Sequence, residues 1–114
     1  MIIGIWHAKR DPARPLEDYQ KFQSEHVSTN LLSVKGCLGV INFHTETEWG
    51  TFQLWKSREA DLAEDFSPQS SHIFQALKES GLLPDPDDVR YDWFEVSGGF
   101  INEEVFKQFL PKLR

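Results

Sequence analysis

The chain has 114 residues, with 12 Lys+Arg against 18 Asp+Glu and a formal net charge of −6. That length sets the expectation of one domain with one modest core, and 39% apolar with 13% aromatic residues exclude a disordered tail. An acidic total with no basic cluster argues against nucleic acid and anionic membranes as partners, and the apolar runs are too short to span a bilayer.

The opening Ile2-Ile3-Gly4-Ile5-Trp6-His7-Ala8 is short, apolar and rich in β-branched residues, so it reads as a largely buried strand. It lacks the basic start and long apolar stretch of a signal peptide, and with the single Cys37 excluding an internal disulfide the expected setting is cytoplasmic. Asp11-Pro12-Ala13-Arg14-Pro15 is a turn. From Leu16 the period changes: Leu16, Tyr19, Phe22/Gln23, Val27, Leu31 and Val34 recur at three- and four-residue steps, the stripe of an amphipathic helix that Gly36 closes.

Residues 37–45 form a second strand with two alternating sets, Cys37, Gly39, Ile41, Phe43 and Leu38, Val40, Asn42, His44. The polar stretch 46–50 is expected to be a hairpin loop, and 51–55 a third strand. Ser57 caps a following helix, and Ser67-Pro68 restarts one, with Ser as cap and Pro at the first helical position. Ile73, Phe74 and Leu77 give it an apolar stripe that ends at Gly81. Pro84 to Asp88 is turn-rich, 89–96 is a fourth strand, and Gly98-Gly99 ends it. Asn102 caps a short last helix, flanked by Ile101 and Phe106 as a hydrophobic staple.

The order is β-α-β-β-α-β plus a terminal helix, an α+β, ferredoxin-like split βαβ with one antiparallel sheet and both helices on one face. The expected division is a domain over 1–97 and a helical extension over 98–114. If the purely aliphatic set packs on the helices, the open face carries Leu38, Val40, Asn42, His44, Gln53 and Trp55. A homodimer packed face to face would cover such a surface and enclose a semi-polar cavity.

Three stretches carry a resemblance: Gly36-Cys37-Leu38-Gly39-Val40, Phe52-Gln53-Leu54-Trp55-Lys56-Ser57-Arg58-Glu59-Ala60, and Phe66-Ser67-Pro68-Gln69. In this order they resemble the antibiotic biosynthesis monooxygenase-like family of the dimeric α+β barrel superfamily, over about residues 1–97. The resemblance implies a dimeric barrel and a monooxygenase that needs no cofactor, acting on a small aromatic, quinol or polyketide-type substrate. Other members of the superfamily are cyclases, isomerases or lyases, which leaves a proton-transfer enzyme or a non-catalytic ligand-binding dimer as alternatives. The family's oxygenases carry a strand Trp with an Asn four positions earlier and a Tyr six positions later. Trp55 matches the Trp, while Thr51 and Asp61 stand at the other two positions.

In that frame Trp55 would stack a flat substrate on its π face, with Gln53, Asn42 and Thr51 as substrate-binding neighbours. His72, one turn into the Ser67-capped helix, is the first candidate base, because the positive helix end favours neutral imidazole. His44 shares a strand face with Asn42, and His7 alternates with Ile5, so both are further candidates. No metal is expected: the sequence has no His-x-Glu-x-x-His, no paired Cys and no two histidines at helical spacing.

Overall fold

A computed structural model describes residues 1–58, 72–83 and 85–109. The elements are β1 (Ile2–Lys9), α1 (Leu16–Phe22), a π-helical segment (Gln23–Ser28), α2 (Thr29–Leu32), β2 (Cys37–His44), β3 (Glu48–Trp55), α3 (His72–Ser80), a 3-10 turn (Pro86–Asp88), β4 (Arg90–Glu95) and α4 (Glu103–Phe109). The four strands make one antiparallel sheet in the order β2-β3-β1-β4. This is the ferredoxin-like α+β arrangement that the order of elements predicts. The Ser57- and Ser67-started helices, Asp61 and the side chain of His72 lie outside the described residues.

The helix from Leu16 to Leu32 departs from regular α geometry in its middle. Its inward residues are Tyr19, Phe22, Gln23, Val27, Ser28 and Leu31. The pairs 22/23 and 27/28 both turn inward, which a 3.6-residue period does not allow, and a wider π turn does. The Thr29 hydroxyl follows the wider period, donating to the carbonyl of Ser24 five residues back at 2.7 Å. Helix α3 buries Ile73 and Leu77, one turn apart, and ends at Gly81, whose φ of 74° suits glycine. Arg14 fastens the two helical segments together. Its guanidinium donates to the carbonyls of Ser80 and Gly81 at 3.3 and 3.2 Å and to Asp18 at 3.1 Å, placing a cation at the negative end of α3.

Between β2 and β3 the loop is shorter than the expected 46–50. The Thr45 hydroxyl accepts from the amides of Thr47 and Glu48, so the chain reverses within three residues and β3 begins at Glu48. This extension brings Trp49 into the sheet, fully buried, with Trp6, Tyr19 and Phe22 around it at ring-centroid distances of 5.1, 4.9 and 5.8 Å. Its indole N–H has no hydrogen-bond partner among the described residues, and the steep angles between the rings set edges against π faces instead.

The strand register fixes what each face carries. Under the helices lie the rows Cys37–Trp55–Ile2, Val40–Gln53–Gly4–Trp93, Asn42–Thr51–Trp6–Tyr91 and His44–Trp49–Ala8. The other face carries Gly39–Leu54–Ile3–Phe94, Ile41–Phe52–Ile5–Asp92 and Phe43–Gly50–His7–Arg90. This corrects the expected assignment, since Val40, Asn42, Gln53 and Trp55 face the helices and the aliphatic set faces out. The physical reason is polar satisfaction. Asn42 and Gln53 find hydrogen-bonding partners inside the layer, whereas Ile3, Ile5, Phe52 and Leu54 need none. Leu38 sits in the β-bulge between Cys37 and Gly39 and is exposed.

Candidate functional site

Two hydrogen-bonded groups lie in the layer between sheet and helices. The first centres on Gln53, which is 2% exposed. Its side-chain carbonyl accepts from the Tyr91 hydroxyl at 2.6 Å and from the Trp55 indole at 3.0 Å. Tyr91 is on β4 and Gln53 on β3, with β1 between them, so the tyrosine has to cross a strand. It crosses over Gly4, where a Cβ would stand 2.7 Å from the Tyr91 hydroxyl oxygen. Only the absence of a side chain on Gly4 opens that path. Trp93 lies beside Tyr91 with ring centroids 4.7 Å apart, and the Arg58 guanidinium sits 4.4 Å from the Trp93 ring centroid.

The second group ties sheet to helix. Thr51 donates to the Asn42 side-chain carbonyl at 3.1 Å, and the Asn42 amide donates to Ser28 at 2.8 Å. Gln23 donates to the Gly50 carbonyl at 2.8 Å and approaches that of Phe43 at 3.4 Å. Gln23 and Ser28 are the first and last residues of the π segment. The wide turn is therefore what delivers two polar side chains to the sheet, and leaving any one of these buried groups unpaired would cost about 1–3 kcal/mol.

The sequence-selected residues divide accordingly. Gln53 meets Trp55, and Asn42 meets Thr51, in neighbouring rows on one face. His7 lies on the opposite face, its Nε2 3.3 Å from an Asp92 carboxylate oxygen and its Nδ1 3.8 Å from one of Glu48. It lines a shallow polar pocket of about 70 Å³ with Lys9, Glu48, Asp88 and Arg90. His44 is exposed beside the hairpin turn, in register with Trp49. Trp55 is six residues further along that strand, about 20 Å away. Neither histidine joins the Gln53–Trp55 group. His72 opens α3, the remaining candidate by position.

Tyr91, Trp93, Arg58, Ser28 and Gln23 join these groups without being marked as site residues by the sequence. A signal existed for two of them: Gln23 and Ser28 are polar residues five apart inside an otherwise apolar stripe. For Tyr91 none did, because its reach depends on a glycine in a strand 87 positions earlier, paired only in three dimensions. Chemically, the group offers an amide carbonyl, a phenolic hydroxyl, indole faces and a nearby guanidinium, the set that flanks a planar, hydroxylated aromatic. Among the described residues no three His, Cys, Asp or Glu side chains are grouped to hold a metal, and no helix is long and apolar enough to cross a membrane.

No family model and no curated protein sequence matches the chain. Solved structures do. A protein of Deinococcus radiodurans assigned as an antibiotic biosynthesis monooxygenase superposes with a TM-score of 0.63 at 17% identity, over 90% of this chain and 97% of its own. A monooxygenase of Streptomyces coelicolor, in complex with the ligand nanaomycin D, gives 0.66 at 17% identity, over 88% and 90%. A Nitrosomonas europaea protein assigned as an antibiotic biosynthesis monooxygenase gives 0.56 at 10% identity, over 86% and 100%. The chain thus has the fold of the antibiotic biosynthesis monooxygenase-like proteins across nearly its whole length.

Proposed function

We propose that the chain is a cytoplasmic, cofactor-independent monooxygenase of a small hydroxylated aromatic, a quinol or polyketide-type compound, held in the layer between sheet and helices. The observation that carries this reading is the Tyr91–Gln53–Trp55 group, with Gln53 and Trp55 buried, in a fold shared with monooxygenases, one of which is in complex with nanaomycin D. The fold is common to many chemistries, so the weight rests on the residues.

In this reading Trp55 and Trp93 flank the ring, and Gln53 or Tyr91 gives up its internal bond to grip a ring hydroxyl. His72 takes the phenolic proton, and Arg58 stabilises the phenolate left behind. The electron-rich phenolate reduces oxygen directly: a C–O bond forms at a ring carbon, the O–O bond breaks, and that carbon loses its hydrogen as a proton as the oxygen it keeps becomes a carbonyl. The other leaves as water, so phenol and O₂ give quinone and H₂O in balance. A dry interior favours this, since it shields the reactive oxygen species from solvent.

The same reading makes the protein a homodimer joined through the apolar open face, where Ile3, Ile5, Phe52 and Leu54 have no helix over them among the described residues and are only partly buried. The test of function is oxygen uptake with a dihydroxynaphthalene. One O₂ consumed per quinone formed, with one oxygen atom inserted, no hydrogen peroxide released and kcat/KM reduced at least 100-fold in Gln53→Leu, is expected. Equal turnover under nitrogen would overturn an oxygenase.

A further inference from the structure

Beyond Glu95 the chain leaves the sheet along an edge strand and turns away from its own domain. Every residue described from 97 to 108 is exposed. Phe100 is 89% exposed, Ile101 60%, Val105 47% and Phe106 42%, half of the exposed large hydrophobic residues in the protein's described part. Gly98 and Gly99, with φ of 154° and 150°, form the link. That conformation is open to glycine and strained for other residues, so the pair sets the arm's direction away from β4. The helix itself is well made: the Asn102 side-chain oxygen approaches the Val105 amide at 3.4 Å, and the Phe106 amide donates to the Asn102 carbonyl at 2.8 Å. A capped helix whose apolar stripe stays exposed is an interaction element.

A second copy of this chain is the occupant that the dimensions favour. Four strands of up to eight residues give the open face a footprint of roughly 500 Å². A stable interface takes about 800 Å² from each partner. The sheet faces alone fall short, and the arm makes up the difference, since a single phenylalanine the size of Phe100 covers on the order of 150 Å². The arm begins at the β4 edge of the sheet, which is the rim of any face-to-face seam.

We propose that residues 98–109 are an exchanged arm that clasps the second protomer, burying Phe100 and Phe106 against it. This rests on the face-to-face dimer proposed above, and the experiment separates the two. In full-length Phe100→Ser/Phe106→Ser the dimer Kd from sedimentation is expected to rise at least tenfold, with an unchanged circular dichroism spectrum. An unchanged Kd overturns the arm. Phe52→Asp tests the sheet face. If it breaks the dimer while the arm variant does not, only the arm is wrong; if it leaves the dimer intact, the face-to-face reading is wrong and takes the arm with it. A spin label on Phe106→Cys in a Cys37→Ser background, mixed with ¹⁵N-labelled copies that carry no spin label, reads the geometry. Broadened amides on the ¹⁵N copies are expected, and ¹⁵N copies whose amides all stay sharp under conditions where the mixed dimer forms overturn exchange.

Discussion

Gln53 has one side-chain carbonyl and two donors aimed at it, Tyr91 from the far edge strand and Trp55 from two residues along its own. Replacing it with leucine keeps the volume and removes the shared acceptor. Gln53→Leu is expected to cost about 2–4 kcal/mol in urea unfolding, against about 1 kcal/mol for Tyr91→Phe, which removes one donor only. Gly4 is the other residue on which the group depends. Gly4→Ala places a methyl 2.7 Å from the Tyr91 hydroxyl oxygen, so it should cost about 1–3 kcal/mol as overpacking. Added to Tyr91→Phe, the same substitution should cost less than it does alone, because the nearest clashing atom is gone. Equal cost in both backgrounds would show that Tyr91 does not pass over Gly4.

At the scale of elements, the π segment is the feature that joins fold to site. A regular helix with the same sequence would direct either Gln23 or Ser28 inward, and the π turn directs both. Ser28 then matters through Asn42, and a double-mutant cycle measures it. Ser28→Ala and Asn42→Leu are each expected to cost about 1–3 kcal/mol, and the pair less than their sum by about 1 kcal/mol. Additive costs would mean that the bond contributes nothing.

The elements were also the most legible part of the sequence. The short β-branched run of strand one, the Leu16 stripe, Gly81 as a helix end and Asn102 as a cap are local signals, and the structure follows them. Two further features were not legible. The hairpin depends on one threonine hydroxyl that captures two amides and shortens the loop by more than its composition suggests. The choice of face depends on which of two apolar strand sets finds the helix, and Cys37–His44 reads equally well both ways. Trp55, Gln53, Asn42 and Thr51 could be selected as a set, but their placement under the helices could not.

For the whole molecule, the inward turn of the polar set leaves a sheet face of isoleucine, leucine and phenylalanine side chains. Its central row runs Ile41–Phe52–Ile5. An aspartate at Phe52 would bury a charge in any seam there. Phe52→Asp is therefore expected to sediment as a 13.2 kDa protomer at concentrations where the natural chain is expected to sediment as a dimer. A natural chain that sediments as one protomer would contradict the assembly.

In the proposed function, ligand enters the layer between sheet and helices beside Trp55, and not the outer face of the sheet. Titration of ¹⁵N-labelled protein with a dihydroxynaphthalene tests it directly, since the indole N–H resonances of Trp55 and Trp93 report from the inner layer. Saturable shifts of these two resonances, lost in Gln53→Leu, are predicted. Shifts confined to the amides of Ile3, Ile5, Phe52 and Leu54, with both indoles unmoved, would contradict it.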